Sequence, residues 1–248
     1  NMASPSEMTG AELVAAFVDE FCFPKVFLVT GGACAFIVDA LGRNDATDYV
    51  CVQHEQAAAM AVDGVWRVTG KVGVTCATSG PGATNLLTGI ACSWFDSIPA
   101  IHITGQVNQR ESAQMLGVSV RQAGFQETDI VSVAAPLTKW AVQVQSVAEL
   151  ARTLPRALCI AQSGRMGPVL IDIPMDVQQE VCTSDDLKNA FTFQETWEET
   201  GLGGLPASDL KTAIAEFLKE AERPLFILGA GLGLSGTARA VQQFCEEN

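Results

Sequence analysis

The sequence predicts an α/β fold, with a doubly wound parallel sheet covered by helices on both faces and then the incomplete start of a second α/β domain. Short β-rich runs alternate with longer helical patterns, which is typical of parallel strands joined by helices. Of the 248 residues, 48% are hydrophobic and 17% are charged, so the chain is long and apolar enough to bury a large core. The hydrophobic period is lost over residues 183–207, where acidic residues, Thr and Gly are concentrated. We therefore predict a first domain at 1–182, a linker at 183–207 and a second domain at 208–248.

Five strands are predicted in the first domain, at 26–29, 49–52, 72–77, 100–104 and 169–173. The helices predicted around them cover 9–20, 36–41, 56–68, 85–94 and 146–161. In the second domain we predict a helix at 208–221, a strand at 224–228 and a helix after Gly236. These 41 residues are too few to bury a doubly wound sheet, so we expect this domain to be cut off or to pack on something outside the sequence.

The composition argues against two classes of partner. Lys and Arg number 15 against 28 Asp and Glu, a net charge of −13, so no basic surface for nucleic acid is expected. No uncharged apolar stretch reaches the length of a membrane span, and no secretory signal is apparent. The eight cysteines are widely spaced without a Cys-x-x-Cys pair, which predicts buried free thiols, no metal site, and a reducing, cytoplasmic location.

The first segment that suggests chemistry is His54-Glu55-Gln56, directly after the predicted strand 49–52. Ligands of open α/β sheets bind at the carboxyl ends of the strands, so Glu55 stands where a proton donor or acceptor is useful. The alternative is that Glu55 only interacts with the dipole of the helix that follows.

A second segment, Thr78-Ser79-Gly80-Pro81-Gly82-Ala83-Thr84-Asn85, joins a predicted strand to a helix. Its glycines allow a sharp turn and a close approach of the backbone to a ligand, and Thr84 or Asn85 could cap the next helix. A serine nucleophile is disfavoured, because Ser79 lacks the Gly-x-Ser-x-Gly context.

Eight short segments of the chain together resemble one known domain. In chain order they are His54-Glu55-Gln56-Ala57-Ala58, Thr69-Gly70-Lys71-Val72-Gly73-Val74, Thr78-Ser79-Gly80-Pro81-Gly82-Ala83-Thr84-Asn85, Asp96-Ser97-Ile98-Pro99, Thr104-Gly105-Gln106-Val107, Phe125-Gln126-Glu127-Thr128-Asp129, Thr138-Lys139 and Gly164-Arg165-Met166-Gly167-Pro168-Val169-Leu170-Ile171-Asp172-Ile173-Pro174. Over about residues 9–180 the chain resembles the N-terminal pyrimidine-binding domain of thiamine-diphosphate-dependent enzymes of the acetolactate synthase group. The remainder resembles the opening of that family's central domain.

The resemblance implies a 2-keto acid decarboxylase or carboligase in which this chain holds the cofactor's aminopyrimidine. Glu55 would hydrogen-bond a ring nitrogen of the pyrimidine and favour its imino tautomer. Pro81 and Asn85 would line the pyrimidine pocket. By the same match, Gly31, Gly32 and Ala33 would form a wall of the site, Phe125 would face the substrate, and Gln126 would be a second catalytic residue.

The resemblance also implies partners. Family members hold the diphosphate and Mg²⁺ in a C-terminal domain, through a Gly-Asp-Gly segment that this sequence lacks. The cofactor lies between the pyrimidine domain of one subunit and the diphosphate domain of its neighbour. We therefore expect a homodimer or homotetramer, with this chain supplying half a site and inactive by itself.

Two departures from the family pattern affect the product and a possible flavin. The chain has Val26-Phe27-Leu28-Val29-Thr30-Gly31-Gly32-Ala33 where acetolactate synthases carry a Tyr-Pro pair, and Pro174-Met175-Asp176-Val177 where they carry Lys. Both leave the thiamine diphosphate chemistry intact. They leave open whether acetolactate is the product and whether FAD binds.

Two other functions remain open from the residues. Gly231, Gly233 and Gly236 match Gly-x-Gly-x-x-Gly after a predicted strand, which is the pattern of a dinucleotide-binding turn, although a structural turn is the simpler reading. A non-catalytic dimerisation or regulatory module of the same fold is the other alternative, and the presence of Glu55 with Pro81 and Asn85 argues against it.

Overall fold

The structure is a computed structural model that describes residues 8–23, 25–192 and 207–247. The chain divides into two compact units, Asn1–Glu199 and Thr200–Asn248. The boundary between domains that the sequence predicts therefore remains a proposal, because the linker lies partly outside the described residues.

A parallel sheet forms the centre of the first unit. Within the described residues it has six strands in the order β2-β1-β3-β4-β6-β5, and every neighbouring pair is parallel. This confirms the predicted α/β class. The strands are β1 (Lys25–Leu28), β2 (Asp48–Cys51), β3 (Gly73–Ala77), β4 (Ala100–Gln106), β5 (Trp140–Gln143) and β6 (Pro168–Pro174).

Helices cover both faces of this sheet. One apolar cluster joins β1, β3, β4 and β6 to α1, α2 and α8, and a second joins the opposite face to α3, α5 and α7. The helices of this unit are α1 (Gly10–Phe21), α2 (Ala35–Arg43), α3 (Glu55–Thr69), α4 (Pro81–Asn85), α5 (Leu87–Asp96), α6 (Ala113–Leu116), α7 (Ile130–Ala134), α8 (Val147–Gln162), α9 (Met175–Gln179) and α10 (Ser184–Phe191).

The central strands are apolar throughout because both of their faces are buried. Along β6, Val169 and Ile171 belong to the first cluster, whereas Leu170 between them belongs to the second. Successive side chains of a strand point to opposite faces, so Asp172 lies on the same face as Leu170, toward α3, α5 and α7.

The sequence missed β5 and misjudged part of the predicted linker. β5 is a four-residue edge strand whose side chains are all partly exposed, so it lacks the apolar run that marks the other strands. Ser184–Phe191 is a helix, stabilised by a reciprocal capping box between Thr183 and Asp186 and by burial of Ala190. The segment 193–206 lies outside the described residues.

The second unit contains α11 (Ala207–Glu220), α12 (Gly231–Leu234) and α13 (Ala238–Glu247). The strand predicted at 224–228 was wrong: in the described part of this unit, those residues are not paired into a sheet. A strand needs a neighbour to satisfy its backbone groups, and this unit offers none among the described residues.

The eight cysteines are all free thiols. Cys22, Cys34, Cys76 and Cys182 are buried as predicted, but Cys51 and Cys92 are exposed. In the described ranges no helix is long and apolar enough to cross a bilayer.

Candidate active site

The candidate site lies where the strand order reverses. β1 is flanked by β2 on one side and β3 on the other, so the loops that leave β1 and β3 run to opposite sides of the sheet. Such a switch point opens a crevice at the carboxyl ends of the strands, where ligands of this architecture bind. Residues 31–34 follow β1 and residues 78–85 follow β3 at this crevice.

Glu55 is the first residue of α3 and is held at the crevice by the cap before it. The Nδ1 atom of His54 accepts a hydrogen bond from the Gln56 amide at 3.1 Å, which fixes the chain where it enters the helix. The Glu55 residue is only 7% exposed. Its position next to free N–H groups of the first helical turn also favours a negative charge there, which is the dipole interaction that the sequence offered as the alternative.

The Glu55 carboxylate has one occupied oxygen and one available oxygen. Asn85 Nδ2 donates to Oε2 at 2.9 Å, while Oε1 accepts no hydrogen bond from the described residues. A Cβ placed on Gly82 would lie 3.2 Å from Oε1, so only a glycine leaves this side of the carboxylate uncrowded. A ligand that offers a polar hydrogen therefore has one defined acceptor here.

Asn85 does not cap the next helix, as the sequence predicted that it or Thr84 could. The segment from Pro81 already forms α4, Asn85 is its last residue, and α5 begins at Leu87 without a side-chain cap. The amide of Asn85 donates instead to the carboxylate of Glu55, 30 residues earlier in the chain.

The loop after β1 forms a wall of the crevice. A Cβ on Gly31 would lie 2.5 Å from Cβ of Thr78, so the wall approaches the loop after β3 as closely as a glycine permits. Thr78 Oγ1 accepts from the Ala33 amide at 3.2 Å, and the Ala33 carbonyl accepts from Gln178 Nε2 at 2.7 Å. Gly32, between them, is exposed and has open space where a Cβ would be.

Phe125 and Gln126, which the resemblance assigned to the substrate and to catalysis, lie in a turn next to the start of α4. Gln126 has a positive φ of 59°, and its carbonyl would lie 2.7 Å from a Cβ on Gly80, whose own φ is +61°. Phe125 is 82% exposed. The structure thus brings Gln126 against the start of α4, while Phe125 projects outward from the same turn.

Glu127 organises the segment that carries these two residues. Its carboxylate accepts hydrogen bonds from the amides of Ala113, Ala123 and Gly124 at 2.9–3.0 Å. Burial acts to raise the pKa of Glu127, but these amides outweigh it and the pKa lies below its ordinary value. Sequence reasoning assigned no role to Glu127.

Two further polar groups are buried in the sheet. Asp172 in β6 is 1% exposed and accepts hydrogen bonds from Thr104, Gln106 and Gln143. Burial raises the pKa of Asp172 to about 6. A charged residue inside an apolar strand was the sequence signal that could have drawn attention to Asp172.

His102 pairs through Nδ1 with Thr75 Oγ1 at 2.9 Å, and burial lowers the pKa of His102 to about 3.

A family model described as "Thiamine pyrophosphate enzyme, N-terminal TPP binding domain" matches residues 8–133, just over half of the chain. The chain belongs to this family. The match covers Glu55, Asn85, the wall after β1 and the turn of Gln126, all of which the resemblance had assigned to the site.

Curated relatives agree with this membership of the thiamine pyrophosphate enzymes. The chain is 40% identical over 237 residues to the acetolactate synthase isozyme 2 large subunit of Escherichia coli K12, with 96% of this chain and 40% of the relative covered. It is 37% identical to an acetolactate synthase of Mycobacterium leprae (92% and 35% covered) and 33% identical to an acetolactate synthase large subunit of Lactococcus lactis (96% and 39% covered). The chain thus spans about two fifths of the length of these relatives.

The described residues fit the aminopyrimidine part of thiamine diphosphate. A buried carboxylate with one oxygen that accepts no hydrogen bond from the described residues can accept one from a protonated ring nitrogen. For Mg²⁺ the described residues contain no group of three or more His, Cys, Asp or Glu side chains that could hold a metal ion.

Proposed function

We propose that this chain carries the pyrimidine-activating half of the active site of a thiamine-diphosphate-dependent decarboxylase or carboligase that acts on a 2-keto acid. The observation that supports this most is the state of Glu55. Its carboxylate is buried, one oxygen is held by Asn85, and the other oxygen is open at the switch point of the sheet.

Glu55 is the proton-handling group in this proposal. Oε1 would share a proton with a pyrimidine ring nitrogen, while the hydrogen bond from Asn85 to Oε2 holds the carboxylate in its orientation. Because Glu55 is buried, the shared proton is protected from exchange with bulk water. Bound thiamine diphosphate supplies the electron sink for decarboxylation of the 2-keto acid.

The remaining predicted residues bind and orient. Gly31, Gly32 and Ala33 would form a wall of the site beside the pyrimidine, and Pro81 and Asn85 would line its pocket. Gln126, which packs against Gly80, would be the second catalytic residue, and the exposed Phe125 would face the substrate.

The other half of the site comes from elsewhere in this proposal. The diphosphate and Mg²⁺ are held by a C-terminal domain of the kind that the longer relatives contain, and a second copy of the chain closes over Glu55 in a homodimer or homotetramer. The relatives' names include "large subunit", which supports assembly. A bound FAD and acetolactate as product stay open, and a cytoplasmic location remains part of the proposal.

The test is isothermal titration of the chain with thiamine diphosphate and Mg²⁺, alone and mixed with a C-terminal fragment that carries the diphosphate-binding segment. We expect binding in the mixture and at least tenfold weaker binding to the chain alone, because half of the contacts are missing. Glu55→Gln in the same mixture weakens binding, whereas Glu149→Gln, the same change at the start of α8, does not.

The outcomes separate the three functions. No heat in either sample supports a non-catalytic module and overturns the proposal. Binding of NAD or FAD by the chain alone supports the dinucleotide alternative. That alternative has less support, because the glycine motif opens a helix of four residues and no strand precedes it among the described residues.

A further inference from the structure

We propose that Asp172 and Gln106 are positioning residues, which hold the turn of Gln126 against the start of α4 through a chain of hydrogen bonds that begins inside the sheet. This inference deepens the proposed function, on which it rests for the role of Gln126. The hydrogen-bond chain itself is a property of the described residues.

The chain of contacts begins at the Asp172 carboxylate. Thr104 Oγ1 donates to Oδ1 at 2.7 Å, and Oδ2 accepts from Gln143 Nε2 at 2.8 Å and from Gln106 Nε2 at 3.1 Å. Asp172 is paired in register with Thr104 of β4 and Gln143 of β5. One carboxylate therefore joins three neighbouring strands at their carboxyl ends.

The direction of these hydrogen bonds is determined by the other contacts of the two glutamines. Gln106 Oε1 accepts from the Val107 amide at 3.1 Å, and Gln143 Oε1 accepts from Gln145 Nε2 at 3.2 Å. Each glutamine must therefore present its NH₂ group to Asp172. A carboxylate that faces only donors is matched to its negative form.

Gln106 connects Asp172 to a residue outside the sheet. Its Nε2 also donates to the carbonyl of Thr128 at 3.0 Å. Thr128 lies two residues after Gln126, and Glu127 between them accepts the three amides that organise the preceding segment. The amide of Gln106 thus holds the base of the turn, and the carbonyl of Gln126 at its tip lies against Gly80.

Charge strengthens this chain of contacts. A hydrogen bond to a carboxylate is stronger than one to a neutral carboxyl, so loss of the charge loosens Gln106. Burial raises the pKa of Asp172 to about 6, and the negative charge of Asp129, which caps α7, adds to this shift. The three side chains that donate to Asp172 are neutral. The turn should therefore become less ordered as the pH falls through about 6.

The experiment compares Gln106→Met with Gln143→Met in the full 248-residue chain by hydrogen exchange. Both substitutions remove one amide donor from Oδ2 of Asp172, but only Gln106 reaches Thr128. We expect exchange of the amides at 113–127 to rise at least tenfold in Gln106→Met and to stay within twofold of the parent in Gln143→Met. Amides of β3 serve as the internal reference.

A second measurement follows the parent chain and Asp172→Asn from pH 7.5 to pH 5. Exchange protection, corrected for the intrinsic effect of pH, should fall about fivefold over 113–127 in the parent, which is the difference expected between a charged and a neutral acceptor. In Asp172→Asn the protection should not change with pH, because the Asn side chain has no charge to lose. Its amide can donate to Thr104 and its oxygen can accept from both glutamines, so this variant can keep the three hydrogen bonds.

Equal exchange in the two glutamine variants would overturn the inference, and so would pH-independent protection in the parent. The Asp172→Asn arm keeps the test decisive if Gln106→Met does not fold. Neither readout requires cofactor, so failure of the proposed function would appear in the titration and leave these results unchanged. Conversely, normal cofactor binding with equal exchange would reject only the positioning role.

Discussion

Glu55 and Asp172 are both buried carboxylates at the carboxyl edge of the same sheet, yet their surroundings differ. Glu55 has one donor, Asn85, and an oxygen that accepts no hydrogen bond from the described residues. Asp172 has three donors. A ligand finds no free acceptor on an oxygen that is already hydrogen-bonded inside the sheet, whereas an oxygen without a donor can accept from it.

The comparison shows that burial alone does not identify a carboxyl group that is available to a ligand. Asp172 is the more buried of the two, at 1% against 7% exposed. What distinguishes Glu55 is its place at the switch point, next to Gly82 and the wall of Gly31. Asp172 instead lies between paired strands, where a ligand has no access.

The largest effect is expected for Glu55→Gln in a complete, cofactor-loaded enzyme. The introduced amide oxygen can still accept from Asn85, so folding should be nearly unchanged, but the proton at Oε1 can no longer be shared. Proton exchange at C2 of the bound cofactor, followed by NMR, should slow by about 10²–10⁴-fold, the usual scale of general acid–base catalysis. Glu149→Gln is the control, and an unchanged rate in Glu55→Gln would remove Glu55 from the mechanism.

Asp172→Asn tests the other side of the comparison through stability. Burial raises the pKa of Asp172 to about 6 from an ordinary 3.8, so the native state holds the proton more tightly than the unfolded state. Its contribution to stability is therefore full below about pH 4 and is lost as the pH rises through 6. At pH 7 the variant should be more stable by about 3 kcal/mol, with no gain at pH 4, in urea unfolding. A less stable variant at pH 7 would contradict this account.

Two neighbouring glycines of the wall should differ in the stability that is lost when a methyl group is added. Gly31→Ala places a methyl group 2.5 Å from Thr78 Cβ and should cost about 1–3 kcal/mol, because Thr78 must move away from the Ala33 amide. Gly32→Ala meets no atom within 4 Å and should change stability by less than about 0.5 kcal/mol. Thermal unfolding of both variants checks the pair, and equal losses would show that the close contact does not restrict Gly31.

The smallest effect concerns the cap that holds Glu55 in place. His54→Ala removes the acceptor for the Gln56 amide and should cost about 1 kcal/mol. Ser146→Ala removes the matching cap from α8, outside the site. Both should lower stability similarly, but only His54→Ala should weaken thiamine diphosphate binding in the completed enzyme. Equal binding in the two variants would show that the cap does not position Glu55.

Much of the fold could be predicted because its signals are local. All five strands predicted in the first domain lie within two residues of the observed ends at both termini, and the long helices were found, since apolar runs and helical periods are carried by consecutive residues. β5 escaped because an edge strand with partly exposed side chains has no such run. The capping box of Thr183 and Asp186 was a local signal that went unread.

The candidate site divides in the same way. The position of Glu55, Gly31 and Pro81 at the crevice was predictable, because each belongs to a short motif next to a strand end. The partner of Asn85 was not, because Glu55 lies 30 residues away and the local sequence favoured a helix cap. The Asp172 network was not either, since its donors lie 29 to 68 residues away in the chain.

The sequence by itself determined the parallel α/β class, the order of the main elements and the position of Glu55 after a strand, because these depend on hydrophobic periodicity and short motifs. Only the tertiary structure decided which carboxylate is open and which is saturated. Hydrogen-bond partners are assigned by strand order and register, which bring together residues far apart in the chain.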